Sequence, residues 1–432
     1  MSKLSTLLPA SGTSNFVAFG ALPNGIPVVL KADGTIEAVN TVLPESIPAG
    51  SAVVYNAANS TMLNVLAFDP NTTGKFVIAY LDGNNSNSIT VMVGTVSGTT
   101  LTFGTSIALT SAYSDTFSIA FDPNTAGKFV VAYKDGGNSN YGTAVVGTVS
   151  GTSITLGTPV VFSSGTTKYI SMSFDPNTAG KFFVAYINES NSQFGTAIVG
   201  TVSGTSVSFG TAVVFKSQLC RYLKLSFDPN TTGKFVISYY NYNETYPNQA
   251  SAIVGTIAGT VPSFGTAVTF TGKSRRADIA FNPTTANQFI MVREDNSYNT
   301  QIRVGTVSGT SITWGDDIKV GYNLGGRVSF DPNVAHRFIF TSVYATGQIR
   351  VGTISGTSVS LSEYTGASLN AATDMIDVAF DPNSLGKIVY VYKDTANSSY
   401  GAAVVCQLEA VGLDTTNLTE TNFIGTSTST YA

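Results

Sequence analysis

The sequence predicts an all-β fold, a seven-bladed β-propeller of four-stranded blades whose ring is closed by an N-terminal strand, preceded by a short N-terminal β-hairpin arm. Three observations predict it. A Phe-Asp/Asn-Pro phrase recurs at Phe68, Phe121, Phe174, Phe227, Phe281, Phe330 and Phe380, in steps of 49 to 54 residues. A Val-Gly-Thr phrase follows at Val93, Val146, Val199, Val254, Val304 and Val351, and has drifted to Val405-Cys406-Gln407 in the seventh copy. Between these landmarks lie short β-forming runs bounded by Gly, Pro, Asn and Ser, with no sustained helical period. Repeats of this length with four strands each are the mark of a propeller.

The elements follow in chain order. Residues 1–50 form an arm and linker. Ile26 to Leu30 and Thr35 to Val39 flank Lys31-Ala32-Asp33-Gly34 and read as a hairpin, and Asn40 to Gly50, with Pro44 and Pro48, as an extended connection. An isolated hairpin is marginal in water, so a partner or self-association is expected to order it. Residues 51–409 form the propeller. In its second copy Thr116–Phe121 alternates, with Phe117, Ile119 and Phe121 on one side. Lys128–Tyr133, Thr143–Val149 and Ser153–Phe162 complete that blade. Small residues on the first strand suit the crowded axis. The seventh copy supplies only three strands, and Ser51–Asn56 resembles Thr158–Ser163, the end of a fourth strand. The N-terminal strand is therefore expected to complete the last blade and remove an open sheet edge. An open solenoid with degenerate caps is the alternative. Residues 410–432 are a tail, Thr/Ser-rich from Asp414 to Ala432 and read as a flexible or an attachment segment.

The turns divide into two kinds. Asp122-Pro123-Asn124-Thr125-Ala126-Gly127 and its counterparts join first strands to second. Pro presets the first turn position and Asp can accept from the backbone ahead of it. Gly127 supplies positive φ, and its counterparts include Asn287 and His336, residue types that tolerate that conformation. The only His thus reads as a turn residue. These turns and the Ser-Gly-Thr turns fall on one face of the ring, as do both chain ends. The second-to-third connections (Asp82 to Asn87, Asp135 to Tyr141, Asn241 to Gln249, Asp295 to Thr300) and the fourth-to-first connections (Ser111 to Thr116, Ser163 to Tyr169, Lys216 to Tyr222, Thr271 to Arg276, Tyr322 to Arg327) differ from copy to copy and fall on the other face. Diverse loops on a repeated scaffold point to recognition.

Composition removes several function classes. Charged residues are 11% of the chain and the net charge is −4, too little basic charge for a nucleic-acid partner. No apolar run reaches the ~18 residues of a membrane helix, so no membrane insertion is expected. One His and two distant Cys leave no metal or cofactor site in prospect and no disulfide framework, with Cys220 and Cys406 expected as free thiols. A Ser-His-Asp triad has no His to use. Loop acids such as Asp82, Asp115, Asp135, Glu189, Glu244, Glu294 and Asp295 read as solvated turn residues. The polar loops after Asp82 and Asp135 lack the repeated carboxylates of a calcium loop.

Aromatic residues on the diverse face are the best binding candidates. Tyr113, Tyr141, Tyr169, Tyr222, Tyr242, Tyr246, Tyr298 and Tyr322 stand in or beside those connections, with Arg221 and Arg275 near. Tyr among Asn, Ser and Gly makes an adaptable contact set with rigid ring area. Each tyrosine also has a plainer role open to it, capping a blade interface through its ring.

The segment Asn24-Gly25-Ile26-Pro27-Val28-Val29-Leu30-Lys31-Ala32-Asp33-Gly34-Thr35-Ile36-Glu37-Ala38-Val39 resembles the N-terminal segments of tailed-bacteriophage virion proteins. Their repeats are similar to the FDPN…GKFVVAY and VGTVSGTS phrases here, and Asn422 to Ala432 resembles the opening of a further module in such proteins. The resemblance implies a non-enzymatic virion component, a tail fibre or head-exposed adhesin. It would be joined to other virion proteins through the arm and would bind a host-surface glycan or protein through the diverse face. A capsid-decorating or tail-assembly role without a receptor is one alternative, and a polysaccharide depolymerase using loop carboxylates is another. The location implied is the virion. Fibres of this kind are often homo-oligomers, though no heptad pattern appears in this chain.

Overall fold

A computed structural model describes residues 47, 49–57, 61–110, 112–242, 249–270, 274–295, 297, 299–322, 326–341, 349–362 and 373–408, together with short strands near both chain ends. Two compact units result, residues 45–408 and residues 1–44 with 409–432.

The larger unit is built from antiparallel strands, and one blade serves for the rest. In the second copy Phe117–Phe121 pairs with Lys128–Asp135 in the register Phe117↔Tyr133 and Phe121↔Phe129. Lys128–Asp135 pairs with Tyr141–Ser150. The fourth strand is split. Ser153–Leu156 pairs with the far half of the third strand and Val160–Ser163 with its near half, on either side of Gly157. Alternation on the first strand buries Phe117, Ile119 and Phe121, while the second strand is buried along nearly its whole length. Seven first strands repeat this plan, ending at the seven Phe residues of the Phe-Asp/Asn-Pro phrase.

The ring closes as the sequence implies. Val53–Asn56 pairs with Tyr400–Gln407 in the register Gly401↔Asn56 and Ala403↔Val53. Tyr55, Leu66, Phe68, Phe76, Val389, Val391 and Val405 share one buried cluster, so the first and last copies pack as neighbours. Gly50 N–H donates to Val405 O at 2.8 Å, which sets the entry to the ring beside its exit. The other apolar clusters lie likewise in the seams between adjacent blades. Each blade buries both of its faces, so few strand positions remain for charged side chains.

The Val-Gly-Thr glycine has a packing cause. Gly200 sits opposite Phe182, and a Cβ there would come within 2.1 Å of the Phe182 ring. Gly94, Gly147, Gly255, Gly305 and Gly352 face Phe76, Phe129, Phe235, Phe289 and Phe338 in the same way. In the seventh copy Cys406 replaces the glycine, and the residue opposite is Ile388, which lacks the ring. Burial pushes the Cys406 thiol up to about 12, as it does Cys220, and both are unbridged.

The Asp-Pro-Asn turns join neighbouring blades as well as strands. Asp228 Oδ1 accepts from Asn230 N–H at 2.9 Å, and its Oδ2 accepts from Thr231 Oγ1 and from Asn287 N–H of the next blade, both at 2.8 Å. Asp69 and Asp381 likewise reach Gly127 and Gly74 of the following blades. The Asn side chains of the phrase donate onward, from Asn71 to Pro123 O, Asn177 to Pro229 O and Asn383 to Pro70 O. The joint between the fifth and sixth blades has Thr284 in place of that Asn. There Asn282 Nδ2 donates to His336 Nδ1 at 3.0 Å. His336 holds φ at 61°, as its turn position requires.

On the opposite face the connections differ from the expectation. Ser163 to Tyr169 and Lys216 to Tyr222 are not loops but parts of the continuous strands Val160–Phe174 and Val213–Phe227. Each such strand leaves the rim of one blade and becomes the first strand of the next, pairing with the third strand behind it and the second strand ahead of it. Several second-to-third connections share one backbone despite their different sequences. Ser86 and Asn87, Ser139 and Asn140, Ser192 and Gln193, and Ser398 and Ser399 are consecutive left-handed pairs. Asp82, Asp135, Asn188 and Asp394 cap these turns by accepting from the N–H two residues ahead.

In the smaller unit Pro27–Leu30 pairs with Thr35–Ala38 as the expected hairpin, in the register Leu30↔Ile36. Its other edge is taken by Phe423–Thr426 of the C-terminal segment, and Thr41–Val42 pairs with Gly412–Leu413. The tail thus supplies strands that a lone hairpin lacks.

Candidate functional site

A repeated irregularity prepares the site. Five residues before the conserved Phe, the first strand carries a β-bulge, with register shifts at Met62/Val65, Lys168/Ser171, Arg221/Lys224, Arg275/Ala277 and Asp374/Asp377. Leu63, Tyr169 and Tyr222 occupy it with φ of 50°, 50° and 52°. Positive φ is costly for large side chains and re-aims them away from the pleat. Leu63 shares the geometry, so the bulge belongs to the scaffold, and the choice of tyrosine is particular to the third and fourth blades. These bulges stand at the start of the first strand, on the face opposite the Asp-Pro-Asn turns.

Tyr169 and Tyr222 meet edge to face with ring centroids 5.0 Å apart, and Tyr222 lies 5.9 Å from Tyr240. Tyr222 remains 39% exposed. Partial burial, and then the neighbouring Tyr222, hold the Tyr169 hydroxyl above its ordinary range, so that ring is a neutral hydroxyl donor at physiological pH. The residues just before them are cations. Lys168 Nζ pairs with Glu189 at 2.7 Å, and that hydrogen bond raises the Lys168 ammonium further. Arg221 stands at the matching place in the fourth blade and stacks over Tyr242 at 4.0 Å. In the second blade Lys134 Nζ pairs with Asp115 at 2.6 Å and lies 5.7 Å from the ring of Tyr113, which is 52% exposed. Blades two to four therefore present one aromatic and ionic surface.

The remaining predicted residues fall elsewhere. Tyr141 begins a third strand and closes a turn, its N–H donating to Asn138 O at 2.9 Å, the place that Phe194 and Tyr400 hold in other blades. Its role is the plain one of the scaffold. Tyr246 and Tyr298, and the side chains of Arg275 and Tyr322, lie outside the described residues. Sequence reasoning missed Tyr240 and Lys168. Tyr240 sits on a strand that reads as scaffold, and Lys168 sits in the Ser163 to Tyr169 connection beside the chosen Tyr169; for Lys168 the repeat alignment is the signal that would have found it, since it matches Arg221.

A second polar group lines the inside of the ring. Asp278 Oδ2 accepts from Val328 N–H at 3.0 Å and Asp377 Oδ2 from Leu66 N–H at 2.9 Å, while Arg327 Nε lies 3.3 Å from Asp377 Oδ1. In the second and third blades Ser118 and Ser171 make the same link to Met172 and Leu225 of the next blade. Burial pushes Asp278 up to about 7, and Asp377 is also raised by burial. These groups tie first strands together, as their serine counterparts do. Toward the other face, Ala120, Ser173 and Ser226 help to line a shallow hollow of about 230 Å³ with Phe121, Phe174 and Phe227. It is made of repeat positions. Among the described residues no group of three or more His, Cys, Asp or Glu is placed to hold a metal.

No family model and no curated protein matches the chain. Solved structures do. The BP39L lectin from Burkholderia pseudomallei aligns over 83% of this chain and 99% of its own at 10% identity, with a TM-score of 0.58. Sqt1 from Saccharomyces cerevisiae aligns over 84% of this chain and all of its own at 9% identity and a TM-score of 0.51. The C-terminal WD40 domain of Sif2 aligns over 85% of this chain at 11% identity and a TM-score of 0.50. At such identities the likeness is one of fold. The chain is a β-propeller.

Proposed function

We propose that the chain is a non-enzymatic binding component of a bacteriophage virion, a tail fibre or head-exposed adhesin. The observation that carries this reading is the aromatic and cationic surface of blades two to four, centred on Tyr169, Tyr222 and Arg221. Its ligand is a host-surface glycan or protein. The acids of that surface are engaged with cations, Asp115 with Lys134 and Glu189 with Lys168. A carboxylate held in an ion pair is placed to structure the surface, not presented to a glycosidic oxygen as a glycosidase requires of its acid. The virion context rests on the resemblance of the N-terminal segment and the repeat phrases to phage virion proteins, and the smaller unit is the part that would join other virion proteins.

The test is binding of labelled protein to a panel of bacterial strains. Wild type should label at least one strain, and Tyr169→Ala/Tyr222→Ala should lose that labelling while keeping its melting midpoint within a few degrees. Undiminished labelling by the double variant would remove this face from the account.

A further inference from the structure

We propose that the site takes a carboxylate-bearing sugar, a uronic or ulosonic acid, with the carboxylate on Arg221 and the ring against Tyr222. This deepens the binding role proposed above and rests on it. The argument starts from the repeat. Lys168 and Arg221 occupy matching positions of the third and fourth blades, six residues before Phe174 and Phe227. Glu189 and Tyr242 match as well, seven residues after Phe182 and Phe235. In the third blade the pair is a cation on a carboxylate, Lys168 Nζ on Glu189 at 2.7 Å. In the fourth the carboxylate is replaced by a ring, and the Arg221 guanidinium lies 4.0 Å from its centroid. Among the described residues Arg221 has no carboxylate within 4.0 Å. The charge that the third blade neutralises internally is left for a ligand in the fourth.

The form of that charge selects the ligand. Stacking on Tyr242 fixes the guanidinium plane and leaves its edge, the donor fork that binds a carboxylate through two parallel hydrogen bonds. Tyr222 is exposed beside it and held at positive φ, with Tyr169 and Tyr240 fixing its ring. A flat ring next to a preorganised fork matches a pyranose carrying a carboxylate. A protein partner would call for a larger apolar centre. The described large hydrophobics exposed elsewhere are scattered, with Val54, Val161 and Val214 on outer strands and Val261 and Leu385 beside turns.

Two matched pairs of probes test the proposal by titration calorimetry: trigalacturonic acid with its methyl ester, and sialyllactose with lactose. At least one acidic member should bind at least about tenfold more tightly than its neutral partner, the worth of one charge-assisted contact. Arg221→Gln should remove that preference. Tyr242→Glu should remove it too, because it rebuilds the internal pair of the third blade while keeping the fold, as circular dichroism would verify. Neutral members binding as well as acidic ones, with loss on Tyr222→Ala, would overturn the acidic ligand and leave the binding face standing. No preference in either pair, or tight binding of a polyglutamate peptide instead, would also overturn it. Strain labelling that survives Tyr169→Ala/Tyr222→Ala would remove the face itself.

Discussion

The two faces of the ring use the same residue types to opposite ends. On the Asp-Pro-Asn face the Asp and Asn side chains of the phrase are spent internally. Asp228 serves three donors, and Asn side chains of the phrase donate to the next blade at most joints, Asn383 to Pro70 among them. On the other face the backbone is nearly as regular, with repeated bulges and repeated left-handed turns, yet the side chains at matching places differ from blade to blade. Conformational uniformity is therefore common to both faces. What separates them is that the scaffold face repeats one set of polar bonds, whereas on the other face Arg221 and Tyr222 stand where neighbouring blades carry other partners, and that difference marks the proposed recognition surface better than loop length does.

The contrast can be broken most strongly on the scaffold face. Asp228→Ala leaves part-buried donors on Asn230, Thr231 and Asn287 without their charged acceptor and should cost about 3 kcal/mol, read by denaturant unfolding. Gly200→Ala should cost about 2 kcal/mol, because its Cβ would overlap the Phe182 ring. Adding Phe182→Ile should restore part of that loss, since Ile388 opposite Cys406 already shows the combination in the seventh blade. A Gly200→Ala variant as stable as wild type would contradict the packing account of the Val-Gly-Thr phrase.

Inside the ring the effect depends on pH. Asp278 keeps its proton in the folded state up to about 7, while an unfolded Asp loses it near 3.9. The folded state binds more protons in that window, so stability falls as pH rises through it. Asp278→Asn still offers an acceptor to Val328 and should be more stable than wild type at pH 8, by on the order of 1 kcal/mol, with the gain vanishing near pH 4. Equal stability at both pH values would show that burial of Asp278 costs nothing. His336 gives the smallest effect and the opposite sign. Its ring is lowered below its ordinary value by burial, so the unfolded state binds more protons just below pH 6.5. Stability should therefore decline on acidification from about 6.5, by a few tenths of a kcal/mol. His336→Asn, the residue type found at Asn287, should lack that component of the pH profile.

The fold was legible because the repeat carries it. The seven Phe residues placed the first strands, and the resemblance of Ser51–Asn56 to a fourth strand located the closure later seen in its pairing with Tyr400–Gln407. The paths from Ser163 to Tyr169 and Lys216 to Tyr222 are strand where the sequence reads as loop, because Gly, Ser and Thr in the first and the polar Lys216-Ser217-Gln218 in the second mimic loop composition while the backbone runs on as strand. The site was legible in part. Tyr113, Tyr169, Arg221, Tyr222 and Tyr242 come together on one surface, but Tyr141 does not. Nothing in sequence spacing distinguishes a ring that caps a turn from one set on a bulge. The inter-blade bonds of the Asp-Pro-Asn turns were likewise hidden, since local turn chemistry already supplies donors to both oxygens of Asp228, from Asn230 and Thr231, and only the packed neighbouring blade adds the third from Asn287.

The division of labour between the faces is tested most directly by measuring stability and cell labelling together for Asp228→Ala and Tyr222→Ala. The account predicts that Asp228→Ala lowers the melting midpoint but labels the same bacterial strain as wild type at temperatures where it is folded. Tyr222→Ala should melt close to wild type and fail to label. The reverse pattern, or loss of labelling in both folded variants, would contradict it.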